Sequence, residues 1–128
     1  MNPRIILTGL FGMMTIFSNA QQPKISFFNE MEGAPLAKLF KDTSIVPQLQ
    51  SLHSEIRMGM LDTSLERVAV IKELNKASIP VVAWLLLPKE KGYWFHSKNG
   101  EAAINRYHEV RDWAKRNQLN FSGIGLDL

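Results

Sequence analysis

Residues 79–88 read Ile-Pro-Val-Val-Ala-Trp-Leu-Leu-Leu-Pro and form the strongest strand signal in the chain. A continuous apolar run of this length is typical of a strand that is covered on both faces, as in a parallel sheet. Pro80 fits only near the start of such a strand, because proline cannot donate to a sheet ladder. The stretch therefore predicts a buried parallel strand that needs parallel neighbours.

The rest of the chain supplies those neighbours by alternating strand patterns with helical patterns. Further strands are predicted at 24–29, 55–61 and 121–128, and helices at 35–51 (as two short pieces), 62–77 and 101–117. Thr63 and Glu66 have the spacing of a capping box at the start of the second helical region. Ala103, Tyr107, Val110 and Ala114 form an apolar stripe along the last one. Such alternation is typical of a parallel sheet with crossover helices.

This order corresponds to half of an eight-fold barrel. A closed β/α barrel needs about 250 residues, and the chain has 128. We therefore expect an α/β fold, namely an incomplete (half) TIM barrel of about four parallel β/α units that occupies residues 21–128. A half barrel leaves two sheet edges unpaired. We expect it to associate with a second copy of itself or with the missing barrel half.

Residues 1–20 have the pattern of a secretory signal peptide. Arg4 supplies the positive charge, residues 5–17 are largely apolar, and Ser18-Asn19-Ala20 offers small residues for cleavage. The apolar segment is short for a membrane span, which needs roughly 20 residues. This favours a cleaved signal peptide over the alternative, an uncleaved membrane anchor. We expect a secreted or periplasmic protein that has no membrane contact after cleavage.

Composition excludes several classes of function. The formal net charge is +3, but the basic residues are scattered among 12 acidic ones, and this argues against nucleic-acid binding. The chain has no cysteine, which excludes disulfides, thiol nucleophiles and thiolate metal sites.

Residues 121–128 read Phe-Ser-Gly-Ile-Gly-Leu-Asp-Leu and resemble a known motif. It is the fourth-strand motif of the chitinase-like family eighteen glycoside hydrolases, approximately Phe-Asp-Gly-Ile-Asp-Ile-Asp-Trp-Glu. Asp127 falls on the aspartate two positions before the catalytic glutamate of that family. Ser122 and Gly125 depart from the pattern, since they replace its first two aspartates.

The resemblance implies a secreted hydrolase that acts on glycans, in particular N-acetylated ones. In that family a glutamate protonates the leaving oxygen while the 2-acetamido group of the sugar attacks the anomeric carbon. Asp127 would be the catalytic residue that orients the acetamido group. The expected position of the glutamate follows Leu128, so the chain as given is expected to be inactive. The alternative for Asp127 is a solvent-exposed strand end or a cap of the next helix.

The connection after the apolar strand is long for a barrel and carries the run Tyr93-Trp94-Phe95-His96. Sugar rings present apolar C–H faces that stack on aromatic side chains, so this loop predicts a glycan subsite. Tyr93, Trp94 and His96, together with Glu30 at the same rim, are the candidate substrate-binding residues. Alternatively the rings form a local cluster over the barrel mouth, which we favour for Phe95.

Two other classes of function fit the same fold. One is a metal-dependent barrel enzyme that uses Glu30, Glu32, Asp62 and His96, although their spacing demands no metal. The other is a barrel that binds glycans without cleaving them. We expect no cofactor and no metal, and a polysaccharide or oligosaccharide as the partner. We interpret Trp84, inside the predicted strand, as a core residue.

Overall fold

The computed structural model describes residues 24–126. The proposed signal peptide (1–20) and Asp127 lie outside the described residues. The described chain is an α/β fold with a single four-stranded, all-parallel sheet and four α-helices. In this part of the chain no helix is both long and apolar enough to cross a membrane.

Strands and helices alternate as the sequence predicts. In order they are β1 Ser26–Asn29, α1 Gly33–Phe40, α2 Ile45–Ser51, β2 Glu55–Gly59, α3 Leu65–Lys76, β3 Val81–Trp84, a 3-10 turn Lys89–Lys91, α4 Gly100–Asn117 and β4 Gly123–Gly125. The prediction of two short helices between β1 and β2 is confirmed. They are separated at Asp42, whose carboxylate accepts a hydrogen bond from the Ser44 backbone N–H at 2.9 Å and so favours a turn over a continuous helix.

The strands lie side by side in chain order, β1-β2-β3-β4. Connections between parallel strands are almost always right-handed, and in a consecutive order this places every helix on the same face of the sheet. The hydrophobic core agrees with this placement, since it joins all four helices to alternate residues of β2 and β3. Its members include Leu36, Leu49, Ile71 and Val110 from the helices and Ile56, Met58, Val81 and Ala83 from the strands.

The other face of the sheet, which we call the opposite face, carries the remaining strand residues. The register aligns Phe28 with Arg57 and Arg57 with Val82, while Trp84 lies next to Gly59 and Gly125. No helix among the described residues covers this face. Its central side chains are nevertheless buried, because large aromatic rings lie over them.

The start of α3 differs in detail from the prediction. The N-cap is Ser64, whose hydroxyl accepts a hydrogen bond from the Arg67 backbone N–H at 3.3 Å. The Thr63–Glu66 capping box is therefore wrong by one position. The predicted stripe along α4 is confirmed at Val110 and Ala114, which are buried together with Arg106 and Trp113, whereas Tyr107 is 36% exposed.

Candidate binding site at the carboxyl ends of the strands

The carboxyl ends of β1, β2 and β3 border a cleft of about 880 Å³. In parallel β/α folds, side chains that bind ligands collect at this end of the sheet. The lining is mixed, and its polar members include Glu30, Glu32, Asp62, Lys89, Glu90, Tyr93, Arg106 and Glu109. The cleft therefore brings together residues from three separate connections of the chain.

Tyr93 and Glu30 meet across this cleft. The Tyr93 hydroxyl donates a hydrogen bond to Glu30 Oε2 at 2.8 Å, although the two residues are 63 positions apart. Burial, the hydrogen bond to Glu30 and the negative charge of Glu30 raise the pKa of Tyr93 to about 12. The phenol consequently stays protonated at physiological pH and acts as a fixed hydrogen-bond donor.

Trp94 stands next to this pair, outside the residues that line the cleft, and is 46% exposed. Its ring centroid is 4.8 Å from that of Tyr93, edge to face, and 6.3 Å from that of Trp84. Phe28 meets Trp84 edge to face at 5.5 Å on the other side. The structure thus brings the predicted residues Glu30, Tyr93 and Trp94 together and joins them to an aromatic cluster on the opposite face.

The backbone of the aromatic loop is held in a rarely used conformation. Gly92 has φ +94° and Tyr93 has φ +62°, and a bulky residue with positive φ is uncommon. The Leu87 backbone N–H donates to the Tyr93 carbonyl at 3.0 Å, which fastens the turn to the chain beyond β3. Backbone strain of this kind is frequent at ligand-binding loops. Here it sends the Tyr93 and Trp94 side chains back over the sheet.

The other two residues of the aromatic run lie elsewhere. Phe95 is buried in the hydrophobic core, where it anchors the loop. His96 is exposed and does not line the cleft. Its Nδ1 accepts a hydrogen bond from the Lys98 backbone N–H at 3.2 Å, within a local turn. The structure therefore separates His96 from the other candidate substrate-binding residues.

Asp62 lies in the cleft, but its oxygens are engaged by the protein itself. It accepts hydrogen bonds from the Gly33 N–H at 2.8 Å, the Ser64 hydroxyl at 2.6 Å and the Arg67 guanidinium at 3.1 and 3.2 Å. Partial burial alone would raise the pKa of Asp62, but the hydrogen bonds from Arg67 and Ser64 and the charge of Arg67 hold it well below its usual range. Asp62 is thus a structural residue whose ionised form the fold stabilises.

A metal centre has no support at this rim. Within residues 24–126, no three histidine, aspartate or glutamate side chains are placed so that they could hold a metal ion. Glu30 is occupied by Tyr93, Asp62 by Arg67, and His96 points into its own turn. The alternative of a metal-dependent enzyme therefore rests on residues that the structure uses in other ways.

Two buried arginines organise the strand ends, and sequence reasoning missed both. Arg67 donates to the carbonyl oxygens of Gly59 at 2.9 Å and Met31 at 2.7 Å. Arg106 donates to the carbonyls of Leu86 and Met60. A signal was present in the sequence, since each arginine occupies the first position of an apolar i, i+4, i+7 stripe on its helix (Arg67, Ile71, Leu74 and Arg106, Val110, Trp113).

The ionisation of Tyr93 tests the geometry of the cleft directly. The chain has two tyrosines, so Tyr107→Phe leaves Tyr93 as the only one. We expect its tyrosinate absorbance to appear near pH 12 instead of near the ordinary value of about 10. Adding Glu30→Gln removes the neighbouring negative charge and should lower this pKa, whereas Glu66→Gln on the exposed face of α3 should not. Titration near pH 10 with Glu30 intact would contradict the contact.

The rim brings hydrogen-bonding groups and an aromatic ring close together. The described residues offer a phenol oxygen whose hydrogen is bonded to Glu30 and which can accept, a second carboxylate oxygen on Glu30, and a partly exposed indole face. Asp127, the residue expected to take part in hydrolysis, lies outside the described part of the chain. Comparisons with protein-family models, with curated proteins and with solved structures gave no match to this chain.

Proposed function

We propose that this protein binds a glycan at the carboxyl end of its sheet. Trp94 would supply the stacking surface, and Glu30 and Tyr93 the hydrogen bonds. The observation that carries the proposal is the position of Trp94, a partly exposed indole that lies between Tyr93 and Trp84 beside the Tyr93–Glu30 hydrogen bond.

A sugar suits this surface for two physical reasons. Its C–H faces are apolar and pack on aromatic rings, while its hydroxyl groups both donate and accept hydrogen bonds. Glu30 retains a second carboxylate oxygen that can accept from a sugar hydroxyl, and Trp94 offers a face to the ring. A ligand that carried a net negative charge would be disfavoured by the acidic residues of the cleft.

We further propose that the described units belong to a β/α barrel. The consecutive order of the parallel strands and the placement of all helices on one face support this, because barrel walls are built in this way. Both edges of the sheet also carry apolar grooves, of about 350 Å³ beside β1 and about 490 Å³ beside β4. Further β/α units, from additional chain or from a second copy, would cover these grooves and the opposite face.

The proposal is confined to binding. Hydrolysis was expected from the resemblance of residues 121–128 to chitinase-like enzymes, and its supporting residue, Asp127, is not among the described residues. A binding function requires only Glu30, Tyr93 and Trp94, which the structure brings together.

Calorimetric titration with N-acetylglucosamine oligomers and with glucose oligomers tests the proposal. We expect binding of at least one series, and Trp94→Ala should lower the affinity about tenfold, because loss of an aromatic stacking partner is worth roughly 1–1.5 kcal/mol. The matched control is Ile104→Ala, which removes a 60% exposed side chain from α4, away from the cleft. Absence of binding, or equal effects of the two variants, would refute the proposal.

A further inference from the structure

The indole N–H of Trp84 has no hydrogen-bond partner. Trp84 is only 6% exposed, and its Nε1 is the single buried side-chain polar atom without a partner among residues 24–126. Nearly all buried polar groups in folded proteins are hydrogen-bonded. Leaving such a donor unpaired costs about 1–3 kcal/mol. Residues 24–126 therefore do not supply an acceptor for this donor.

Aromatic rings and glycines surround the Trp84 side chain. Phe28 and Trp94 flank the ring on the opposite face, and β4 runs beside it with glycines at the two positions that share this face. A Cβ atom built on Gly125 would lie 3.8 Å from Trp84 Cδ1, the carbon bonded to Nε1, and one built on Gly123 would meet nothing within 4 Å. Both described β4 residues on this face, Gly123 and Gly125, are therefore glycines that place no side chain against the indole.

We infer that Trp84 is a ligand-binding donor, whose indole N–H bonds to an acceptor oxygen of the bound sugar. This rests on the proposed glycan site, to which it adds a second aromatic residue and a required ligand group. The acceptor is a neutral oxygen next to an apolar ring face, either a hydroxyl or an amide carbonyl of an N-acetylated sugar. A trapped water is a poorer partner, since it needs roughly two to four polar neighbours and the flanking residues Phe28 and Trp94 offer aromatic surface.

The ligand reaches this donor by displacing surface side chains. Phe28 is 63% exposed and Trp94 is 46% exposed, and neither belongs to the hydrophobic core on the helix side. Exposed side chains change rotamer within picoseconds to nanoseconds. A turn of the Trp94 ring would uncover part of the Trp84 ring while the sheet stays in place.

The variant Trp84→Phe removes the N–H and retains an aromatic ring. We expect it to weaken binding of the oligosaccharide about tenfold, the effect of one lost hydrogen bond. The matched control is Trp113→Phe, the same substitution at a buried tryptophan of α4 that packs in the core on the helix side; it should leave the affinity unchanged. Titrating N-acetylglucosamine oligomers and glucose oligomers in parallel identifies the acceptor. If it is an amide carbonyl, Trp84→Phe weakens binding of the acetylated series only; if it is a hydroxyl, binding of both series is weakened.

A measurement on the unaltered chain covers the case in which Trp84→Phe does not fold. The chain has three tryptophans, and their indole N–H signals are resolved by NMR and assigned with the single variants. We expect the Trp84 signal to move downfield and its solvent exchange to slow when ligand is added. If ligand binds and Trp94→Ala weakens it while the Trp84 signal and the Trp84→Phe affinity stay unchanged, the inference is overturned and the proposed function stands. If no ligand binds, both fall.

Discussion

Arg67→Met is expected to lower the free energy of unfolding by about 3–5 kcal/mol, the usual effect of removing one partner of a buried ion pair. Arg67 is fully buried and donates to the carbonyls of Gly59 and Met31 and to the Asp62 carboxylate. The variant leaves these acceptors without their donor. Because Met31 directly follows Glu30, the loop that holds Glu30 against Tyr93 should also loosen.

Denaturant unfolding measures this effect, with Arg116→Met as the control. Arg116 is exposed on α4, and its replacement should change stability by less than about 0.5 kcal/mol. Equal stabilities of the two variants would show that the Arg67 contacts contribute little.

The same ion pair predicts a pH dependence. The folded pKa of Asp62 is depressed, so its contribution is present above the ordinary carboxyl pKa of about 3.9 and is lost as pH falls through the range below it. Unfolding measured at pH values between about 5 and 2 should show a steeper loss of stability for the unaltered chain than for Arg67→Met. Parallel curves would contradict the role of Arg67 in holding Asp62 ionised.

Gly33→Ala is expected to destabilise the fold by about 3 kcal/mol, at the upper end of the range for overpacking. A Cβ on Gly33 would lie 2.1 Å from Ser64 Oγ and 3.0 Å from Ser64 Cβ. The backbone cannot retreat easily, because the Gly33 N–H is bonded to the Asp62 carboxylate. The substitution therefore pushes the start of α1 away from the start of α3.

Gly100→Ala is a closely matched control for this prediction. Gly100 is also the first residue of a helix, and a Cβ there meets nothing within 4 Å. It should be neutral or stabilising by up to about 1 kcal/mol, since alanine is the better helix former. The double variant Gly33→Ala/Ser64→Gly should recover part of the loss, because the clashing side chain is gone and glycine is an acceptable N-cap. Thermal unfolding of the three variants measures these differences in stability. If the double variant is no more stable than Gly33→Ala, the predicted clash with Ser64 is wrong.

The fold class was accessible from the sequence because it depends on periodicity. The apolar run at 79–88 and the alternation of strands with helices predicted the parallel sheet, and the structure confirms four parallel strands and the break between α1 and α2. The ends of the strands were harder to predict from the sequence. β4 spans Gly123–Gly125 and so begins two residues after the predicted start at 121, while the end of the predicted strand at 127–128 lies outside the described residues.

The site was predicted only in part, since its residues meet through tertiary contacts. The position of Tyr93 and Trp94 in a long loop after a strand was sufficient to select them, and Glu30 was selected by its rim position. Their mutual contact depends on the positive φ of Gly92 and Tyr93, which no local pattern indicated. His96 follows them in sequence, but it lies in a separate local turn and does not line the cleft. Trp84 is buried as predicted, yet it lies on the opposite face, because a fully apolar strand does not reveal which of its faces meets the helices.

The consecutive strand order also determines how the sheet can be assembled during synthesis. Within residues 24–126, each strand pairs only with its neighbours in chain order. None of these four strands is inserted between two strands that precede it in the chain. Each can form its hydrogen bonds to the preceding strand before any later strand exists. Since domains generally fold from the amino terminus as they emerge from the ribosome, β1 and β2 can pair while β4 is still untranslated. The sheet therefore grows from one edge, and the newest strand is always the template for the next.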